Sequence, residues 1–143
     1  FSLVFEVDNP SNAVYTAINN VTGWWTENME GSSKRIGDTF TVTFSETYIT
    51  LRVAEQRTNF RIAWEVIDCY KHFLQNSKEW VGTTVCFDIE QVNYVGSRVR
   101  FTHVGLVEPL ACYDICSDAW GRYLLGSLKA LITTGKGYPD QKE

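Results

Sequence analysis

This chain lacks the basic surface that nucleic-acid binding requires. Its 13 Lys and Arg are scattered, only Lys34 and Arg35 adjoin, and the formal net charge is −4. Holding a phosphate backbone takes a concentrated basic footprint, so no nucleic-acid partner is expected. No apolar run approaches the ~18 residues that span a bilayer, and no signal-peptide pattern is visible, so no membrane association is expected. The chain opens on Phe1 instead of Met, which leaves room for a short natural N-terminal extension. Histidine is scarce: His72 and His103 are the only two. The four cysteines, Cys69, Cys86, Cys112 and Cys116, match no zinc-ligand spacing. No metal and no other cofactor is therefore expected. Lacking a disulfide framework, the thiols read as reduced and mostly buried, in a cytoplasmic protein. No glycine-rich phosphate loop opens a helix, because Gly135-Lys136-Gly137 follows one. Repeats, low-complexity stretches and linkers are missing too, so residues 1–143 read as a single domain.

Aromatic residues, by contrast, are plentiful. Five Trp, seven Tyr and eight Phe make up 14% of the chain. That favours a large core or an aromatic-lined cavity.

Strand signals open the chain at FSLVFEV. DNPSNAVYTAINN then reads as a helix capped by Asp8 or Asn9, with Pro10 at its first position. TGWWTE suggests a second short helix, and GSSKRIGD a polar turn. Phe40, Val42 and Phe44 alternate with threonines, the period of a half-buried strand. Further strands are expected over residues 48–57, 61–68, 80–92 and 98–106. The last stretch, CSDAWGRYLLGSLKALITTGKG, repeats apolar residues at helical spacing from Trp120 to Ile132, with Gly135, Gly137 and Pro139 as a stop. Gly121 and Gly126 lie inside this helix, each costing about 1 kcal/mol relative to alanine. Such a helix either packs tightly on a core or covers a space for a ligand. The whole predicts an α+β domain: a curved antiparallel sheet of about six strands wrapped around one long C-terminal helix, with two short helices after the first strand.

Within that frame, His103 alternates with Val99 and Phe101 and should point inward. It reads either as a polar anchor or acid/base group in an apolar pocket, or as a bonded structural histidine. Trp64, Phe101, His103, Trp120 and Tyr123, with Trp25 and Phe40, are the candidate lining of a cavity for a flat or apolar ligand. Glu65, Asp88 and Glu90 have the opposite parity and belong to a solvated face. Cys116 near a helix start could be an activated thiol next to His103, or a buried structural cysteine.

The ordered set VDNPSNAVYTAI, GWW, IGDTFTVTF, EWVGTTVCFDI, FTHVGL and CSDAWGRYLLGSLKALITTGKGYP resembles the START-like, or SRPBCC, superfamily. That superfamily shares its helix-grip fold with the birch pollen allergen. Within it the set is similar to the branch related to the activator of heat-shock protein 90 ATPase. The resemblance implies the helix-grip fold, commonly with a cavity between the sheet and the closing helix. It also implies a choice among ligand carriers, polyketide cyclases and co-chaperone domains. The expectation is a module that binds a small hydrophobic ligand, as a monomer or homodimer. The alternatives are a cyclase- or dehydratase-like enzyme using His103, and a chaperone-interacting domain.

Overall fold

The computed structural model describes residues 1–108 and 110–141. Strand β1 (Ser2–Val7) leads through helices α1 (Ser11–Asn19) and α2 (Val21–Trp24) to β2 (Met29–Gly31). A meander follows: β3 (Thr39–Phe44), β4 (Thr47–Arg57), β5 (Arg61–Tyr70), β6 (Thr84–Gln91) and β7 (Ser97–Val104). The chain closes with α3 (Tyr113–Gly121), a π-helical segment (Arg122–Leu128) and α4 (Lys129–Thr134). The strands pair antiparallel in one seven-stranded sheet of order β1-β7-β6-β5-β4-β3-β2, and an isolated parallel bridge joins Thr26 to Asp140. The expected α+β helix-grip architecture is thus present, with seven strands where about six were expected. The extra one is β2, whose three residues are too few to show a period.

Alternation explains the layering. On β7, Ser97, Val99, Phe101 and His103 are buried while Arg98, Arg100 and Val104 are not. On β4, Thr47, Ile49, Leu51 and Val53 face the core. The outer face carries cross-strand ion pairs, Arg52 with Glu65, Arg61 with Asp88, and Arg98 with both Glu6 and Glu90. The expected solvated face for Glu65, Asp88 and Glu90 is therefore observed. Register shifts between Thr50 and Leu51 and between Val53 and Glu55 interrupt the β4–β5 ladder. Bulges of this kind bend a sheet and raise its twist, which curves the inner face around the helix.

Local signals differ from expectation at two places, the start of α1 and the start of β6. Helix α1 starts at Ser11, because Pro10 stays extended at the cap position, φ −71° and ψ 159°. No side-chain cap forms there; instead the Ser11 N–H and hydroxyl both donate to Gln91 Oε1 at 2.9 Å, docking the helix on β6. Trp80 to Thr83 form a turn, so β6 begins at Thr84. Asp114 lies within the first turn of α3, where its charge suits the helix dipole.

The serine in the closing stripe has a structural reason. Ser127 Oγ donates to the Trp24 carbonyl at 2.6 Å and accepts the Tyr138 N–H at 2.8 Å. Helix and C-terminal tail are thereby tied to α2. Gly135 ends α4 in left-handed backbone, φ 86°. Gly137 lets the tail press on α2: a Cβ there would stand 2.3 Å from the Gly23 carbonyl oxygen. Gly121 and Gly126, in contrast, face open space, one just before the π segment and one inside it.

Candidate functional site

A half-open cleft of about 260 Å³ lies between the sheet and the closing helix. Phe44, Thr47 and Ile49, around the β3–β4 hairpin, form one wall. Cys116, Ala119, Trp120 and Tyr123 form the helical wall. Trp25 from the end of α2, with Lys71, Phe73 and Trp80 from the β5–β6 connection, completes it. The π segment contributes Arg122 and Tyr123, in keeping with the frequency of such bulges at functional sites.

Stacked indoles run beside the cleft. Trp25 packs on Trp120 with ring centres 5.1 Å apart, and Trp80 stacks on Trp120 at 6.0 Å and 8°. Trp25 also stacks on Trp64 at 6.3 Å. Tyr123, at the opposite side, donates its hydroxyl to Asp140 Oδ2 at 2.9 Å. Burial, reinforced by that carboxylate, pushes the phenol well above its ordinary pKa. Its hydroxyl therefore stays protonated and pins the tail.

Of the residues expected to line a cavity, Trp25, Trp120 and Tyr123 border the cleft. Phe40, Trp64 and Phe101 are fully buried in the core behind it. Trp64 lies edge-on to Phe40 and Phe87, and its indole N–H has no hydrogen-bond partner among the described residues. Trp80, Lys71 and Phe44 border the cleft without having been expected to. Trp80 was expected within a strand, and Lys71 follows Cys69 by two residues, an alternation that points it inward.

His103 does not reach the cleft. It is 0% exposed, its Nδ1 accepts the Trp120 indole N–H at 3.1 Å, and its Nε2 stands 2.8 Å from Thr83 Oγ1. An indole nitrogen is only a donor, so the histidine proton sits on Nε2 and is donated to Thr83. The Thr83 hydroxyl in turn donates to the Trp80 carbonyl at 2.6 Å. Trp80 closes edge-on over the imidazole at 4.4 Å. Burial, helped by nearby cationic charge, drives the His103 pKa down to about 3. This geometry speaks against the acid/base role expected as an alternative for His103: both nitrogens are hydrogen-bonded and the ring is fully buried.

The thiols form a separate pair. Trp80 Nε1–H donates to Cys112 Sγ at 3.2 Å. Cys116, by donating to Cys112, and then the Trp80 N–H pull the Cys112 thiol below its usual range; Cys116 itself is pushed far up by that same contact and by burial. Cys112 and Cys116 do meet, on one helical turn, and Cys116 does not contact His103 through any hydrogen bond. Among the described residues, no group of three or more His, Cys, Asp or Glu gathers in a metal-binding arrangement. No helix among them is long and apolar enough to cross a membrane.

The sequence matches no protein-family profile and no curated protein. Solved structures do match. The solution structure of the Aha1 dimer from Colwellia psychrerythraea superposes with a TM-score of 0.77 at 24% identity, over 96% of this chain and 98% of that one. DynU16, a putative protein of the dynemicin biosynthetic locus, gives 0.69 at 14% identity, over 99% of this chain and 50% of that one. A structural-genomics protein from Staphylococcus saprophyticus gives 0.66 at 17%, over 98% and 97%. At these identities the likeness speaks to the backbone alone: this chain has the α+β helix-grip fold of these structures, the Aha1 structure among them.

Proposed function

We propose that the chain is a binding module for a small aromatic or apolar molecule, held between the sheet and the closing helix. The observation that carries this reading is the cleft itself, about 260 Å³ and bordered by the rings of Trp25, Trp80, Trp120 and Tyr123. Known ligand pockets are mostly about 300–1,000 Å³, apolar and aromatic with a few fixed polar groups. A cleft just below that range suits a compact ligand of one or two rings. Stacking faces and a fixed phenol hydroxyl supply affinity and orientation. With His103 sealed, binding is favoured over acid/base catalysis by that residue.

The test is direct. Small molecules extracted from the purified protein are analysed by mass spectrometry, next to an Ala119→Trp variant whose new indole fills the cleft. An aromatic or apolar compound enriched in the wild type and lost in the variant is expected. Identical extracts, with no response of tryptophan fluorescence to added aromatic compounds, would overturn the reading.

The likeness to Aha1, a dimer in its solved structure, supports a second reading in which the chain engages a second copy or a chaperone. Sedimentation equilibrium and a heat-shock protein 90 ATPase assay decide it. A monomer at every concentration, with no change in ATPase rate, removes it.

A further inference from the structure

Lys71 is an unusual wall for an apolar cleft. Only 5% of its surface is exposed. Its Nζ lies 3.8 Å from the centre of the Trp80 ring and 5.6 Å from that of Phe73. No described carboxylate forms an ion pair with it, whereas Arg52, Arg61 and Arg98 on the outer sheet face are each paired. Carboxylates of the surroundings are engaged elsewhere. Asp140 takes the Tyr123 hydroxyl at 2.9 Å, Glu79 takes the Cys112 N–H at 3.4 Å, and Glu46 faces His72 at 3.7 Å.

An aromatic face attracts a cation through its quadrupole but does not neutralise it. Buried charges in proteins are otherwise paired or coordinated. Lys71 is buried and belongs to the lining of this cleft. A second cation, Arg122, stands at the mouth with its guanidinium 5.1 Å over the Tyr123 ring. Lys71 and Arg122 against Asp140 leave the lining net positive, in a chain whose net charge is −4.

We infer that the ligand is a monoanion, an aromatic or short-chain carboxylate whose charged end pairs with Lys71 while its apolar body lies against Trp80 and Trp120; this rests on the binding reading above. A single buried ammonium matches one carboxylate. A phosphate dianion would demand further donors, and the described lining adds only the exposed Arg122 as a cation. Low local dielectric strengthens such a pair relative to water. Apolar surface of the ligand then accounts for affinity, and Lys71 for selection of charge.

The probes are 2-naphthoate and its neutral counterpart 2-naphthamide, titrated against wild-type protein by tryptophan fluorescence and calorimetry. Expected is tighter binding of the acid by about tenfold. Lys71→Met should bring the acid to the affinity of the amide and leave the amide unchanged, and Lys71→Arg should keep most of the preference. Circular dichroism verifies that each variant folds. If Lys71→Met does not fold, the wild-type comparison of acid with amide decides alone. Equal binding of acid and amide to the wild type overturns the charge selection while leaving the binding reading intact. Preference for the acid that survives Lys71→Met overturns the role of Lys71. No binding of either probe overturns both.

Discussion

Trp120 donates its indole N–H to Nδ1 of His103 across 3.1 Å in the centre of the protein. Through that bond the closing helix grips the last strand of the sheet, since Trp120 belongs to α3 and His103 to β7. The bond also fixes which nitrogen bears the proton and so orients the chain of donors through Thr83 to the Trp80 carbonyl. Fully satisfied buried networks rigidify a core, and partly satisfied ones are costly.

Acid should loosen this grip. The His103 pKa is lowered to about 3 in the folded protein from an ordinary value of 6.5. Above the ordinary value both states are neutral, and stability is undiminished. As pH falls below it, the unfolded chain takes up a proton that the folded one refuses, and stability declines down to the folded pKa. The loss between about pH 7 and about pH 5 should be about 2 kcal/mol. Urea unfolding at the two pH values measures it, and a His103→Gln variant should show a slope shallower by that amount. Equal slopes would contradict the sealed imidazole.

Trp120→Phe should remove the donor and leave Nδ1 buried without a partner. An unsatisfied buried group costs about 1–3 kcal/mol, so the unfolding midpoint in urea should drop accordingly. The imidazole nitrogen shifts in NMR should then lose the single tautomer expected in the wild type.

One substitution should have opposite signs at two glycines. Gly126→Ala adds a Cβ that meets nothing within 4 Å, inside a helical segment. Alanine is favoured there by up to about 1 kcal/mol, so this variant should melt at the same temperature or higher. Gly137→Ala places its Cβ 2.3 Å from the Gly23 carbonyl oxygen and 3.1 Å from that of Ser127. Overpacking of that kind costs about 1–3 kcal/mol. Thermal unfolding of the two variants side by side checks the contrast.

The thiols should titrate in a defined order. Cys112 is lowered by the Cys116 thiol and the Trp80 N–H, whereas burial raises Cys69 and Cys86. Ultraviolet absorbance of the thiolate should therefore show Cys112 ionising before the others. Cys112→Ala should delete that earliest step, and Cys116→Ala should move it to higher pH.

Much of the fold is legible in the chain. The threonine–apolar alternation of β3, the inward set Val99, Phe101 and His103 on β7, and the glycine stop at Gly135 each follow from local stereochemistry. Charges of opposite parity announce the outer face that their ion pairs now occupy. The candidate site is less legible. Tyr123, Trp120 and Trp25 declare themselves as large aromatics at inward positions, but so do Phe40, Trp64 and Phe101, which fill the core instead. Inward direction is a property of the strand or helix; whether space is left in front of a ring depends on its neighbours across the sheet.

Periodicity and composition by themselves determined the element order, the inner and outer faces and the closing helix, because these rest on interactions between residues close in sequence. Tertiary structure alone decided that His103 is capped by Trp120 and Thr83, that Trp80 turns back over it, and that Lys71 borders an aromatic cleft with no counter-ion among the described residues. Those residues lie far apart in the chain, and only the bulged, curved sheet closing on its helix brings their side chains within a few ångströms.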